Sequence, residues 1–330
     1  MAIIDEIKNR AKQEKKIIVL PEAEDKRILE AAVEVEKEGI ANIVLVGNIE
    51  KTNEIAHKNN IDISNIKFVN IDSSKKTQEY AKKLYELRKH KGMTIEKATE
   101  LMKDPVYYGI MMVKCEEADG LVSGAAHSTS DTLRPALQII RTKEGERLVS
   151  AFFLIEVPNC EYGEKGIFIF ADCGLNENPT SEELADIAYS SAQSFKRLIQ
   201  KEPIIGMLSY STHGSKESEM TNKIKIATQF LNEKYPNLIA DGEIQLDVAI
   251  VPEIARLKSS KCKTQGRCNT LIFPDLNSGN IGYKLVRNLA KAEAYGPICQ
   301  GMDKPVNDLS RGCSVNDIIG VIAITCIQSM

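Results

Sequence analysis

Short apolar runs alternate with amphipathic segments along most of this chain, and that alternation restricts the fold more than any other feature. Ile17–Leu20 is a continuous apolar run, as a strand buried on both faces requires. From about residue 25 to 38, Ile28, Leu29, Ala32 and Val35 recur at helical spacing. Residues 43–47 read as the next strand, 49–59 as a helix and 67–69 as a strand. Helices are predicted around 75–89, 94–102 and 106–116, ahead of a buried strand at Gly120–Ser123. In the second half, 149–156 and 166–171 read as paired strands, and 180–200 as a long helix with Ser181, Glu182 and Glu183 in its first turn. Further strands are predicted at 204–208, 244–250 and 270–273, with helices at 216–233, 278–292 and 314–327. Alternation of this kind gives an α/β fold with largely parallel sheets. The 330 residues suit two such domains. The paired strands near 149–171 are the place to enter the second domain, and the last helix is expected to return to the first.

Composition removes several functions. With 43 basic and 46 acidic residues the net charge is -3, so the chain is no general binder of nucleic acid. No apolar run has the length of a membrane span, and the first residues are amphipathic rather than a signal peptide. The 8 cysteines have irregular spacing with no CxxC pair, and the four histidines stand in no zinc-like register with them. No metal site is therefore expected, and the compartment is read as a reducing cytoplasm. GxGxxG after the first strand, a Walker loop, GxSxG and HExxH are all absent from the sequence.

Chemistry concentrates in four segments. Pro305 to Asp317 packs Asp308, Ser310, Arg311, Ser314 and Asp317 just before an apolar run. Arginine offers a fork that fits phosphate or carboxylate, and Ser and Asp can stabilise charge or move protons. Ser314-Val315-Asn316-Asp317 also has the form of a capping box, and the two readings can coexist. Gly120 to Arg134 runs from a strand into small and hydroxyl residues, including His127, Ser128 and Thr129, and then into a helix. That pattern is either an anion cradle or an ordinary capped loop. Residues 209–216 and 273–282 pose the same choice. Arg27, Arg88 and Cys160 are weaker single candidates, each with a plain structural alternative.

The order of these segments is more specific than any one of them. Leu20-Pro21-Glu22-Ala23-Glu24-Asp25-Lys26-Arg27, Asp119 to Ala125, His127-Ser128-Thr129, Arg134-Pro135, Leu208 to Thr212, Asp241-Gly242-Glu243, Phe273 to Asn277 and Pro305 to Asp317 follow one another as in the phosphate acetyltransferase family, in its short form. The chain resembles that family along essentially its whole length. The resemblance implies two α/β domains similar to the isocitrate/isopropylmalate dehydrogenase-like fold, with the active site in the interdomain cleft. Domain 1 would comprise 1–148 plus about 308–330, and domain 2 would comprise 149–307. It implies reversible acetyl transfer between coenzyme A and phosphate in a homodimer, with coenzyme A and acetyl-CoA as substrates and no permanently bound cofactor. By motif match, Asp317 is implied as the base for the thiol, Ser310 as the stabiliser of the acetyl carbonyl and Arg311 as a phosphate ligand. Arg88, Arg134, Arg27, Ser128, Thr129 and Cys160 are implied to line the substrate site, Cys160 without a nucleophilic role. Residues 261–269 are more basic and cysteine-rich than the family pattern. A phosphate butyryltransferase is the nearest alternative. A decarboxylating dehydrogenase of related fold and a non-catalytic coenzyme A binder are the others.

Overall fold

The computed structural model describes residues 2–330 and divides into two compact units, one of residues 3–144 with 302–330 and the other of 145–301. The strands of the chain are β1 (Ile17–Leu20), β2 (Asn42–Gly47), β3 (Lys67–Asn70), β4 (Gly120–Ser123), β5 (Ser150–Glu156), β6 (Ile167–Ala171), β7 (Ile204–Leu208), β8 (Ile239–Ile244), β9 (Thr270–Ile272), β10 (Glu293–Gln300) and β11 (Val306–Asp308).

In the first unit the sheet order is β11-β4-β1-β2-β3, and every pair is parallel. Val19, Val44, Val46, Leu121 and Val306 belong to one core cluster with the helices Thr77–Arg88, Pro105–Lys114 and Thr129–Ile139. The helices Ile3–Ala11, Lys26–Glu38 and Val315–Gln328 pack together, and the last of them also packs on β1, β4 and β11. The central strands β1 and β4 are thus covered on both faces, which is why their sequences are mostly apolar, whereas edge strand β3 is only partly covered and carries Lys67 and Asn70. Asp25 starts the helix Lys26–Glu38 by accepting the Arg27 N–H at 2.8 Å, and Gly39, at φ 71°, ends it. After β1 the chain runs outward through β2 and β3, then restarts at β4 on the other side of β1. Ligands of open parallel sheets bind at such a switch point, outside the carboxyl ends of the strands. Here that position is occupied by the loops that follow β1, β4 and β11.

The second unit has the order β10-β5-β6-β9-β7-β8. β10, β5 and β6 are antiparallel neighbours, and β6, β9, β7 and β8 are parallel. The helix Ser181–Ile199 packs on β9, β6 and β7. Val248, Ala249, Ala255 and Tyr283, from the helices Leu246–Ile250, Pro252–Lys258 and Leu276–Leu289, join Phe153, Phe170 and Leu271 in the core. No helix among the described residues is long and apolar enough to cross a membrane.

Three expectations need correction. The strand predicted at 244–250 is instead β8, ending at Ile244, followed by the helix Leu246–Ile250. The residues Ile-Gln-Leu-Asp-Val-Ala-Ile alternate like a strand, but Leu246 is exposed while Val248 and Ala249 are both buried. β8 itself reads Ile-Ala-Asp-Gly-Glu-Ile, and buried Asp241 and Glu243 disguise it. The chain re-enters the first unit before residue 302, not near 308, because β11 pairs with β4. Its first exit falls at 144–145 rather than 148–149.

Gly109 tests the packing behind the switch point. A Cβ there would lie 2.8 Å from Leu121 Cδ1 and 2.9 Å from Val19 Cγ1. Alanine would gain about 1 kcal/mol of helix propensity, but overpacking a core costs about 1–3 kcal/mol. Gly109→Ala is therefore expected to lower the urea midpoint at unchanged m-value. A midpoint equal to or above wild type would show that the helix shifts without penalty.

Candidate active site

One buried carboxylate organises the switch point. Glu22, in the turn after β1, is 4% exposed. Its Oε2 accepts the backbone N–H groups of Gly124 and Ala125 at 2.9 and 2.8 Å, and its Oε1 those of Ala126 and His127 at 2.8 and 2.9 Å. The His127 Nδ1 lies 2.8 Å from the same Oε1. Burial works against the charge, but these donors outweigh it and hold the Glu22 carboxyl below its usual range. The loop after β4 is thus an anion cradle in form, as its composition suggests, but the anion in it is the protein's own glutamate. Gly124 is obligatory there. At φ 111°, a Cβ would fall 2.2 Å from Asp308 Oδ1 and 2.5 Å from the Leu309 N.

Arg27 fastens this loop to the one after β11. Nε and Nη2 reach the two oxygens of Asp25 at 3.1 and 2.7 Å. Nη1 donates to the carbonyls of Arg311 and Cys313 at 2.8 and 3.0 Å, and Nη2 to that of Ala125 at 2.8 Å. All five guanidinium N–H groups are engaged. Within the structure Arg27 therefore ties the two loops together, with every donor on a protein acceptor.

The loop that Arg27 holds carries Ser310 and Arg311, both exposed. Ser314 caps the helix Val315–Gln328. It takes the Asp317 N–H on Oγ at 3.1 Å and gives its own N–H to Asp317 Oδ2 at 2.9 Å. The capping box is therefore real, and buried Asp317 sits in it, in the first turn of the helix that follows the Ser310–Arg311 loop. Neighbouring Cys313 is buried too, and burial pushes its thiol up to about 11, so it is no thiolate.

Ser128 and Thr129 also have structural partners. Ser128 caps the helix Thr129–Ile139 in a capping box with Asp131. The Thr129 hydroxyl donates to Asp308 Oδ2 at 2.6 Å. Asp308 is 1% exposed, and burial pushes its carboxyl up to about 6. Its Oδ1 and the hydroxyls of its strand neighbour Ser123 and of Thr132 are buried without a hydrogen-bond partner at ordinary distance among the described residues. Sequence reasoning gives Asp308 no role. Its signal in the sequence is its place in the Pro305–Asp317 cluster, because β11 itself shows no strand pattern.

Arg88 and Arg134 are brought together. They line a cavity of about 290 Å³ with Lys91, Lys97, Tyr107 and Gln138. Its lining holds no carboxylate among the described residues, and neither arginine has an ion-pair partner there. Cys160 belongs to the second unit, half-buried in the connection between β5 and β6 and packed against that unit's core. The two other loops read as possible cradles are also filled from within. Glu243 accepts from the Ser211 hydroxyl at 2.9 Å and the Gly214 N–H at 2.7 Å. Asp275 caps the helix Leu276–Leu289 through the Ser278 N–H at 2.9 Å.

A parallel sheet with arginines, a serine and a buried aspartate around its switch point defines an enzyme-type site for a small anionic substrate. The pattern of the phosphate acetyl/butaryl transferase family matches residues 2–326, and the chain belongs to that family. It is 54% identical to the phosphate acetyltransferase of Acetivibrio thermocellus over 329 residues, covering 100% of this chain and 98% of that one. It is 52% identical to that of Clostridium acetobutylicum, covering 100% and 99%. The crystal structure of a phosphotransacetylase from Streptococcus pyogenes superposes with a TM-score of 0.93 at 39% identity, covering 100% and 99%.

Asp308 and Glu22 should respond to pH in opposite directions. The raised Asp308 carboxyl binds its proton more tightly in the folded than in the unfolded chain, so its contribution declines as pH rises from about 4 to about 6. The lowered Glu22 carboxyl contributes above its unfolded pKa, and that contribution is lost as pH falls. Asp308→Asn keeps an acceptor for Thr129 but cannot ionise. Its stability relative to wild type is expected to improve by roughly 1 kcal/mol between pH 5 and pH 7.5 in urea titrations. An unchanged difference would show that Asp308 does not titrate there.

Proposed function

We propose that this chain is a phosphate acetyltransferase, interconverting acetyl-CoA plus phosphate with acetyl phosphate plus coenzyme A. The observation that carries the reading is the pair of loops clamped by Arg27, which presents Ser310 and Arg311 beside the helix start holding Asp317.

The chemistry needs a thiolate, and a free thiol of pKa about 8.5 is mostly protonated at neutral pH. Asp317 takes the thiol proton of coenzyme A. A carboxylate has about four acceptor positions, so one group can serve both the cap and the thiol. The sulfur attacks the carbonyl carbon of acetyl phosphate directly, in a ternary complex. Negative charge grows on the carbonyl oxygen, where Ser310 donates, and on the departing phosphate, where Arg311 and Arg134 act. Arg88 adds positive charge beside Arg134 in the cationic cavity. Coenzyme A enters and leaves as a substrate, so no resident cofactor is invoked. Cys160 lines the site without forming an acyl-enzyme. We read the enzyme as a cytoplasmic homodimer. The family resemblance supports the dimer, and eight cysteines outside any disulfide suit a reducing compartment.

Phosphate-dependent release of thiol from acetyl-CoA tests the activity, and butyryl-CoA in the same assay tests the acyl preference. Asp317→Asn is expected to lower kcat by on the order of 10²–10⁴ with a smaller change in KM for acetyl phosphate. Arg311→Lys replaces a fork by a point charge and should not be mild. Near-wild-type turnover in both variants would sink the assignment, and an acetyl group trapped on Cys160 would refute direct attack.

A further inference from the structure

His127 has no part in the chemistry above, yet its ring is oriented more firmly than a loop residue requires. Its Nδ1 lies on Glu22 Oε1 at 2.8 Å, and its own backbone N–H lies on the same oxygen at 2.9 Å. An ionised carboxylate only accepts, so Nδ1 carries the proton and Nε2 is the nitrogen directed elsewhere. The ring is a fifth donor to Glu22. Four backbone N–H groups already meet the roughly four lone-pair positions of a carboxylate. The contact therefore serves the imidazole: a buried anion fixes its tautomer and direction, as outer carboxylates do for working histidines. The side chain remains 36% exposed.

Its surroundings are those of the site. The residue lies between Ala125, whose carbonyl Arg27 holds, and Ser128, the cap of the next helix. The charged groups that face the ring are Glu22 from the turn after β1, Asp104 from the start of the helix Pro105–Lys114 and Asp131 from the helix Thr129–Ile139. The hydrogen bond to Glu22, outweighing burial, raises the imidazole pKa, and all three acids favour the cation. Asp104 caps the helix that carries Tyr107, and Asp131 lies in the first turn of the helix that carries Arg134, and both Tyr107 and Arg134 line the cationic cavity.

We propose that His127 is a further substrate-binding residue, whose Nε2–H donates to a phosphoryl oxygen of a substrate. The ligand chemistry is a phosphoryl oxyanion, supplied by inorganic phosphate or by the phosphates of coenzyme A. The inference rests on the acetyltransferase reading for the identity of those substrates.

The test separates the two ring nitrogens. In His127→Asn the side-chain amide can still reach Glu22 but nothing stands at the Nε2 position. In His127→Gln the amide nitrogen reaches that position without charge. His127→Asn is expected to raise KM by about tenfold or more, with a smaller fall in kcat, and His127→Gln to recover part of the loss. A change in KM for inorganic phosphate places the contact there, and a change in KM for acetyl-CoA places it on coenzyme A. In the wild type the affected KM should rise as pH passes the imidazole pKa, and His127→Asn should flatten that dependence. NMR titration of the ring gives a readout without turnover, because an anion that prefers the imidazolium must raise its pKa. Inorganic phosphate and coenzyme A are the probes. Unchanged KM values and pH profiles in His127→Asn, with a ring pKa unmoved by either probe, would overturn the proposal. A wild-type enzyme without acetyl transfer would instead overturn the functional reading, while the titration would still report on anion binding.

Discussion

Five donors converging on the Glu22 carboxylate set the geometry on which the site depends. Four consecutive amides can point at one group only if the loop after β4 is folded tightly around it. That fold fixes the Ala125 carbonyl, one of the acceptors of Arg27, and the start of the helix Thr129–Ile139. Arg27 in turn fixes the Arg311 and Cys313 carbonyls, and so the loop that leads to the Ser314 cap and Asp317. The sequence of dependence runs from a buried anion to an exposed serine and arginine through a single guanidinium. Each link is a charge-assisted hydrogen bond, stronger than a neutral one, and each leaves a costly unpaired group behind if removed.

Much of the fold was legible because strands covered on both faces must be apolar, and β1, β4, β5 and β7 are. The strands that escaped are those whose sequences answer to something besides the core. β8 carries Asp241 and Glu243, whose carboxylates hold neighbouring loops. β11 is three residues long and ends in Asp308. β10 is an edge strand with a bulge, interrupted by Gly296-Pro297. Polar residues placed for tertiary contacts erase the periodicity that marks a strand.

The site was legible in its residue types and less so in their partners. Glycine and hydroxyl residues after a strand are needed by any loop that wraps an anion, and composition does not say whether that anion is a ligand or a side chain. Glu22 lies 102 residues from Gly124, so only the fold reveals that the cradle is filled. Arg27 gave the same ambiguity: the fork that suits a phosphate suits a carboxylate and three carbonyls equally well. Arg88 and Arg134, by contrast, line one cavity, and no carboxylate among the described residues lines it with them.

The discontinuity of the first unit has a consequence for how the enzyme is made. β11 and the helix Val315–Gln328 follow the whole of the second unit in the chain, and they cover β4 at the sheet edge and the apolar face of β1. While residues 145–301 are being synthesised, β4 has an open edge and the sheet lacks one of its covering helices. Ser310, Arg311 and Asp317 lie within the very segment that closes this gap. Completion of the first core and assembly of the loop that carries Ser310 and Arg311 are one event, so a nascent chain gains that loop only when it also loses its exposed sheet edge.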